Sequence, residues 1–492
     1  MPAAIQPIPF SFAKRYGVLF AGIENDQAKI IYRNVPNILV LNELRRYLNH
    51  PLILEQVNEE NFNQFLIKSY ETDSSTAMLM AEDMGESMNL FDLIHELPKP
   101  EDLLEHQDDA PIIRLLNALL SEAIKETASD VHIETFEDRV MVRFRVDGIL
   151  REVLEPQRIL APLIVSRIKV MAKLDIAEKR LPQDGRITLR IAGRAVDVRV
   201  STMPTSHGER VVLRLLDKQS ARLDMADLGM LKPTLRLMQK LIEMPHGIIL
   251  VTGPTGSGKT TTLYAALTSL NTHVRNILTV EDPIEYDLPG IGQTQVNYKV
   301  NMTFAKGLRS ILRQDPDVVM IGEIRDLDTA QIAVQASLTG HLVLSTLHTN
   351  SAIGAITRLD DMGIEPFLLS SSLIGVLAQR LVRLLCSHCK KPHTADTAQC
   401  DLMKIPHHPA PVIYQPAGCD QCRHTGYSGR SGVYELIVID DKLRTMIHDH
   451  QPESQLKKYA RTLFLSIRQD GYKRVLAGDT SFEEVIRVTS EE

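Results

Sequence analysis

The run Gly253-Pro254-Thr255-Gly256-Ser257-Gly258-Lys259-Thr260 follows Gly247-Ile248-Ile249-Leu250-Val251-Thr252, which reads as a buried strand, and opens through Thr261 into a helix-like Thr262-Leu263-Tyr264-Ala265-Ala266-Leu267. Glycines at this spacing let a loop curl so that its backbone N–H groups converge, and the helix N-terminus adds partial positive charge at the same spot. That spot suits the phosphates of a nucleotide, ATP above all, with Lys259 reaching the β and γ oxygens and the Thr260 hydroxyl placed for Mg²⁺. Such chemistry also needs carboxylates at neighbouring strand ends, where water and metal are organised. Asn276-Ile277-Leu278-Thr279-Val280 ends in Glu281-Asp282-Pro283-Ile284-Glu285-Tyr286. Val318-Val319-Met320-Ile321 ends in Gly322-Glu323-Ile324-Arg325-Asp326, the Walker B position, with Glu323 where an aspartate is usual. Glu281, Glu285 and Glu323 are the candidates for general base, and the choice among them belongs to geometry.

Arginine stabilises charge on a transferring phosphoryl group, so its placement comes next. In Val140-Met141-Val142-Arg143-Phe144-Arg145-Val146 the alternation puts Arg143 and Arg145 on one strand face, and Arg199, Arg210 and Arg214 oppose valines and leucines in the same way. A solvated sheet face is the ordinary reason for such a pattern, but five arginines ahead of a phosphate loop also suit phosphate contact. Arg309 and Arg313 are i,i+4 neighbours on a helical face, open to either reading. His341 and His348 bracket the strand Leu342-Val343-Leu344-Ser345-Thr346, as structural hydrogen bonders or as phosphate sensors.

Four of the five cysteines form two C-x-x-C pairs, Cys386/Cys389 and Cys419/Cys422. Four thiolates close a tetrahedral Zn²⁺ site with no position left for chemistry, so a structural clasp is expected. A redox dithiol would need a thioredoxin-like βαβ context that is missing, and a DNA-binding zinc ribbon would need a denser basic run than Lys390, Lys391, Arg423 and Arg430.

These groups need several domains to hold them, and 492 residues exceed one core. Apolar content of 44% and charged content of 24% are those of a soluble globular protein, and a net charge of −7 offers nucleic acid no basic field. No cationic start with an apolar run suggests a signal peptide, and no window reaches the ~20 apolar residues of a membrane span. The expected order is a docking module over 1–80, an acidic linker over 81–110, an arginine-bearing sheet domain over 111–218, a hinge over 219–227, the ATPase core over 228–380, a zinc subdomain over 381–432 and helices over 433–492. Within the first module, Gln27–Tyr32 and Asn37–Val40 read as strands, and Leu41–Leu48 and Glu59–Tyr70 as helices, the latter with Phe62, Phe65 and Leu66 on one face. Pro111 opens an amphipathic helix with Ile112, Leu115, Leu116, Leu119, Leu120 and Ala123 in register, and Leu377–Leu385 reads as helix-like.

Arg180-Leu181-Pro182-Gln183-Asp184-Gly185-Arg186, the Thr279–Glu285 acidic box, Gly322–Asp326 and His341-Leu342-Val343-Leu344-Ser345-Thr346-Leu347-His348-Thr349-Asn350 together resemble the secretion ATPase superfamily that powers type II secretion and type IV pili. The four-cysteine insert and Phe10–Leu19 resemble its type II secretion branch; a pilus retraction ATPase would lack both. The resemblance implies an α/β fold with a RecA-like P-loop core (C1), a preceding PAS-like N2 domain and an N-terminal docking domain. It further implies a homohexamer at the cytoplasmic face of the inner membrane, tethered to the cytoplasmic domain of secretion protein L and acting on platform protein F to assemble a pseudopilus, with no nucleic acid and no direct membrane contact. On the matching positions, Lys259 binds phosphate, Glu323 organises Mg²⁺ and Glu285 is general base. Arg199, Arg210 and Arg214, with Arg309 and Arg313, sense or stabilise the γ-phosphate. Pilus extension, DNA uptake or conjugation, and a nucleotide-gated scaffold without turnover are the rival readings.

Overall fold

A computed structural model describes residues 8, 12–13, 16–24, 27–48, 50–59, 61–62, 65, 110–191, 194–217 and 224–490. The expected acidic linker through residue 109, most of the expected helix over 59–70 and the expected hinge through residue 223 lie outside the described residues. The chain divides into two compact units, residues 1–219 and 220–492.

The first unit opens with β1 (Val18–Glu24), β2 (Gln27–Tyr32), α1 (Ile38–Leu48) and β3 (Leu52–Gln56). β2 pairs antiparallel with β1 and parallel with β3. The strand expected over Asn37–Val40 is instead the start of α1. The Asn37 side chain accepts from Leu39 N–H at 3.1 Å and its carbonyl from Leu41 N–H at 3.2 Å, while Val40, Leu44 and Leu48 are buried. Burial at a spacing of four overrides the strand preference of a short β-branched run. Ala13, Leu19, Ile31 and Phe62 of this module share a buried cluster with Val170 and Ile176 of the next.

That next module contains α2 (Ala110–Lys125), β4 (Asp130–Thr135), β5 (Val140–Val146), β6 (Ile149–Leu154), α3 (Ala161–Met171), β7 (Gln183–Ile191), β8 (Arg194–Thr205) and β9 (Gly208–Asp217). The six strands form one sheet in the order β6-β5-β4-β9-β8-β7, antiparallel throughout. Alternation divides it. Val131, Ile133, Val142, Phe144, Val198, Val200, Val211 and Leu213 face α2 and α3 in one core, to which α2 contributes the expected Ile112, Leu115, Leu116, Leu119, Leu120 and Ala123. The opposite face is charged.

The second unit is a sheet layered between helices. Its elements are α4 (Lys232–Ile242), β10 (Gly247–Thr252), α5 (Lys259–Leu270), β11 (Ile277–Glu281), β12 (Gly292–Gln295), α6 (Phe304–Ile311), β13 (Val318–Ile321), α7 (Leu327–Leu338), β14 (Leu342–Leu347), α8 (Ala352–Asp361), α9 (Pro366–Ser372) and β15 (Leu373–Leu385). There follow β16 (Lys391–Thr394), α10 (Thr397–Met403), β17 (Val412–Gln415), β18 (Tyr427–Val438), α11 (Asp441–His448), α12 (Glu453–Leu463), α13 (Ile467–Ala477) and α14 (Phe482–Val488). The main sheet runs β12-β11-β13-β14-β10-β15-β18, parallel except for the last pair. Ile249, Val251, Val318, Met320, Leu342 and Leu344 pack with α4 and α5 on one face, and Ile248, Leu250, Val319, Ile321 and Val343 with α6, α7 and α8 on the other.

The helix expected over Leu377–Leu385 is the second half of strand β15. Flanked by β10 and β18, it sends Leu377 into one core and Val376, Ala378 and Val382 into the other. Burial on both faces erases the alternation that marks a strand, leaving a run that mimics a helix.

Candidate nucleotide site and thiolate cluster

The phosphate loop sits between β10 and α5. Gly253, Gly256 and Gly258 have φ of +149°, +79° and +87°, and Gly258 caps α5 in the left-handed conformation. At Gly253 a Cβ would lie 2.5 Å from the Gln379 carbonyl oxygen, so the close packing of the loop on β15 requires glycine. Pro254, Thr255, Gly256 and Thr260 are exposed, Thr261 and Gly258 are half-buried, and Ser257 and Lys259 are buried. The loop thus has an open outer face at a helix N-terminus, where a phosphate would lie. Lys259 Nζ donates to the carbonyls of Gly253 (2.8 Å) and Pro254 (3.2 Å). Burial pushes its ammonium down to about 8, against the pull of the Glu323 carboxylate and with the push of the Arg380 guanidinium.

Gln379, in mid-β15 and 1% exposed, clamps this loop. Its Nε2 donates to the Ser257 carbonyl at 2.7 Å, and its Oε1 accepts from the Thr262 hydroxyl at 2.9 Å. Arg380 reaches the other way, to the carbonyl and side-chain oxygens of Asn350, both at 3.1 Å. Sequence reasoning missed Gln379 and Arg380.

The three candidate carboxylates differ sharply. Glu281, 3% exposed, has both oxygens engaged: Oε1 accepts from Thr279 Oγ1 (2.6 Å) and Gln293 Nε2 (3.0 Å), and Oε2 from the Tyr264 hydroxyl. Glu285 stands half-buried on the loop after β11. Glu323, at the end of β13, ion-pairs with Arg325 and lies 3.4 Å from His348 Nε2. His341 is tied elsewhere, its Nδ1 lying 2.9 Å from the Ala336 carbonyl.

The arginines fall into two groups. On the charged face of the first unit, Glu134 pairs with Arg143 and Arg210, both at 2.7 Å, and Asp130 with Arg214 at 2.9 Å and Arg145 at 3.6 Å. The Cα of Arg199 lies opposite those of Arg186 and Arg214 in the neighbouring strands. His132 lies among them, its pKa lowered by burial and by the Arg145 guanidinium, which favours the neutral imidazole. In the second unit, Arg309 ion-pairs with Asp328, and Arg313 Nη1 donates to the Arg309 carbonyl at 2.8 Å. Both are exposed and belong to or border α6, on the opposite sheet face from α5. Their bonded partners are on α6 itself and at the start of α7.

The four paired cysteines do meet, with sulfurs all within 4.8 Å of one another. Cys386–Cys419 is 3.9 Å, and Cys389–Cys422 and Cys419–Cys422 are 3.7 Å. A tetrahedron of thiolates at a Zn–S distance of about 2.3 Å has edges of about 3.8 Å, so the cluster fits that ion. Backbone N–H groups of Cys419 and Gly426 also point at Cys422 Sγ, each at 3.2 Å.

A glycine loop holding a buried lysine between strand and helix, with a carboxylate closing a second strand of a parallel sheet, defines the class: a P-loop nucleoside triphosphatase. Comparison with known proteins carries this further. Residues 105–487 match the family described as Type II/IV secretion system protein, and residues 7–70 match the N-terminal domain family of GSPII protein E. The type II secretion system protein E of Pseudomonas aeruginosa is 62% identical over 485 residues, 99% of this chain and 96% of that protein. The type II secretion system ATPase E of Vibrio cholerae is 60% identical over 490 residues, 99% and 97% of the two chains. Among solved structures, the pilus retraction motor PilT with bound ADP aligns at a TM-score of 0.53 and 26% identity, over 76% of this chain and 96% of its own. This chain belongs to the type II secretion system ATPase E family.

Proposed function

We propose that the chain is a homohexameric motor that hydrolyses ATP to drive pseudopilus assembly, working at the cytoplasmic face of the inner membrane. The domain division expected from the sequence is retained, with residues 111–218 as a PAS-like N2 domain and 228–380 as a RecA-like C1 core. Lys259 and the backbone N–H groups of the Gly253–Thr261 loop, all but that of Pro254, which has none, would bind the phosphates, and Thr260 with Glu323 would hold Mg²⁺, which supplies charge neutralisation at the β and γ oxygens. The exposed Thr260 hydroxyl and the Glu323 carboxylate, coupled to Lys259, are the oxygen donors that such an ion takes. Engagement of both Glu281 oxygens favours Glu285 as general base, with Glu323 on the metal side and His348 and His341 near the strand that carries it.

Arg199, Arg210 and Arg214 would grip the γ-phosphate from the N2 sheet, with Arg309 and Arg313 of the C1 core sensing or stabilising it. Loss of the phosphate then releases the grip and changes the angle between lobes, pushing on platform protein F. Residues 1–80 would dock on the cytoplasmic domain of inner-membrane protein L, and the four cysteines would hold a structural Zn²⁺. Contact with membrane would be only through these partners; no helix among the described residues is long and apolar enough to cross one. Nucleic acid has no part in the reading, consistent with the net charge of −7.

The observation that carries the reading is the buried Lys259 at the start of α5, in a glycine loop whose outer face is open at the helix N-terminus. Lys259→Ala and Glu323→Ala in the full chain should each abolish ATP turnover and secretion while the unfolding midpoint stays in place. Full turnover in either variant refutes the site. Co-purification of the chain with the cytoplasmic domain of a secretion-platform rather than a pilus-platform protein tests the pathway.

A further inference from the structure

The buried Glu281 is not itself poised for chemistry, yet it is the hub of a network that holds the acidic loop. Tyr264, 1% exposed, lies on the helix whose first turn carries Lys259 and Thr260. Its hydroxyl donates to Glu281 Oε2 and accepts from the Glu285 backbone N–H at 3.3 Å and from Gln293 Nε2 at 3.4 Å. Gln293 also donates to the Tyr286 carbonyl at 3.2 Å and accepts from Leu288 N–H at 2.6 Å. The Tyr286 ring stands edge-on to Tyr264, with centroids 4.7 Å apart. These anchors of residues 285–288 run to Tyr264 or to groups that Tyr264 holds.

We propose that Tyr264 is a positioning residue for hydrolysis: through its hydroxyl it fixes the Glu285 backbone relative to the first turn of α5, and so sets the carboxylate against the phosphates bound there. The inference rests on the reading of Glu285 as general base. Tyr264 is five residue steps along the helix from Lys259, a rise of about 7.5 Å that the helix does not allow to vary. The phosphate end and the base-bearing loop are thus referenced to a single rigid element. A displacement of about 1 Å in such an arrangement can cost on the order of 100-fold in rate, whereas ground-state binding through the loop N–H groups is untouched. Burial and the Glu281 charge hold the phenol well above its ordinary pKa, so it remains a neutral donor at any working pH.

The test uses the zinc-loaded full chain. Tyr264→Phe should lower kcat for ATP by about 10- to 100-fold with KM within about twofold, and should add less than about twofold in a Glu285→Gln background, because its effect passes through that carboxylate. Thr279→Val takes a donor from the same buried carboxylate without touching the 285–288 loop, and should leave kcat within about twofold. If Tyr264→Phe does not fold, Gln293→Leu severs the loop from the hub by another route and should show the same split. An unchanged kcat in Tyr264→Phe, a loss confined to KM, an equal loss in Thr279→Val, or a full additional loss on top of Glu285→Gln would overturn the inference. Full turnover in Glu285→Gln would instead sink the general-base reading and the inference with it, so the two failures are told apart by that single variant.

Discussion

Replacing Gln379 by leucine tests whether β15 holds the phosphate loop in shape. The two side chains are close in size, so the change removes hydrogen bonds more than volume. What remains is a buried Ser257 carbonyl and a buried Thr262 hydroxyl that have each lost the Gln379 partner. A buried polar group left without its partner costs about 1–3 kcal/mol, and the apolar gain of a buried leucine offsets part of the pair. A net loss of about 3 kcal/mol follows, and for a unit of this size each kcal/mol moves the midpoint by about 2–4 °C. Calorimetry of the zinc-loaded chain should show a drop of roughly 6–12 °C, and titration with a non-hydrolysable ATP analogue an affinity about tenfold weaker, since Lys259 is presented by the loop that Gln379 clamps. Saturating nucleotide should recover part of the midpoint, as a ligand that binds only the folded loop must. A midpoint within about 1 °C of the parent together with unchanged nucleotide affinity would refute the idea that β15 shapes the loop.

Cys419→Ser should reduce bound zinc from one per chain to a small fraction, measured by elemental analysis; retention of a full equivalent would mean that the four thiolates are not the site. Arg210→Ala should shift stability by under about 1 kcal/mol, because Arg210 is 41% exposed and Arg143 still pairs with Glu134. Its turnover should nonetheless collapse if the charged sheet face meets phosphate, and unchanged turnover would leave that face a merely solvated one. Glu484, fully buried, is raised by desolvation but held down to about 2 overall by hydrogen bonds from Arg487 and Arg383. Because its folded pKa lies below the usual 4.5, its contribution of about 3 kcal/mol is present above pH ~4.5 and lost as pH falls toward 2. Glu484→Gln should therefore flatten the acid limb of the stability curve in that window, and a parallel curve would contradict the assignment.

The legible parts of this chain are those whose chemistry is local. The phosphate loop, the acidic strand ends and the paired cysteines need their residues close together, so spacing displays them. Alternation likewise displayed the charged face of the six-stranded sheet, because one side of that sheet is apolar and the other is not. What stayed hidden depends on partners far along the chain. Gln379 is one of a few polar residues in a mostly apolar run, and its meaning comes from Ser257 and Thr262, 122 and 117 residues away. Tyr264 reads as one more core aromatic until Glu281 and Glu285 are brought to it. The two misread elements share a cause: neither the short apolar run Ile38–Val40 nor Leu377–Leu385, with polar residues at 379, 380 and 383, shows a clear local period, and the tertiary surroundings decide between helix and strand. Glu281 could not be separated from Glu285 by composition, since only its three donors distinguish it.

β15 has a consequence for how metal and nucleotide can be studied. The strand that presents Gln379 to the phosphate loop runs unbroken to Leu385 and hands directly to Cys386, the first thiolate. Leu385 N–H is held by the Asp479 carbonyl at 2.8 Å, and Arg383 is pinned by the buried Glu484, so this stretch is braced from the side along its length. A chelator added to strip the cysteines therefore acts on one end of a beam whose other end supports the catalytic loop. Lost turnover after metal removal cannot be assigned to the metal alone, and the informative control is a variant cut loose at Gln379 with its zinc intact.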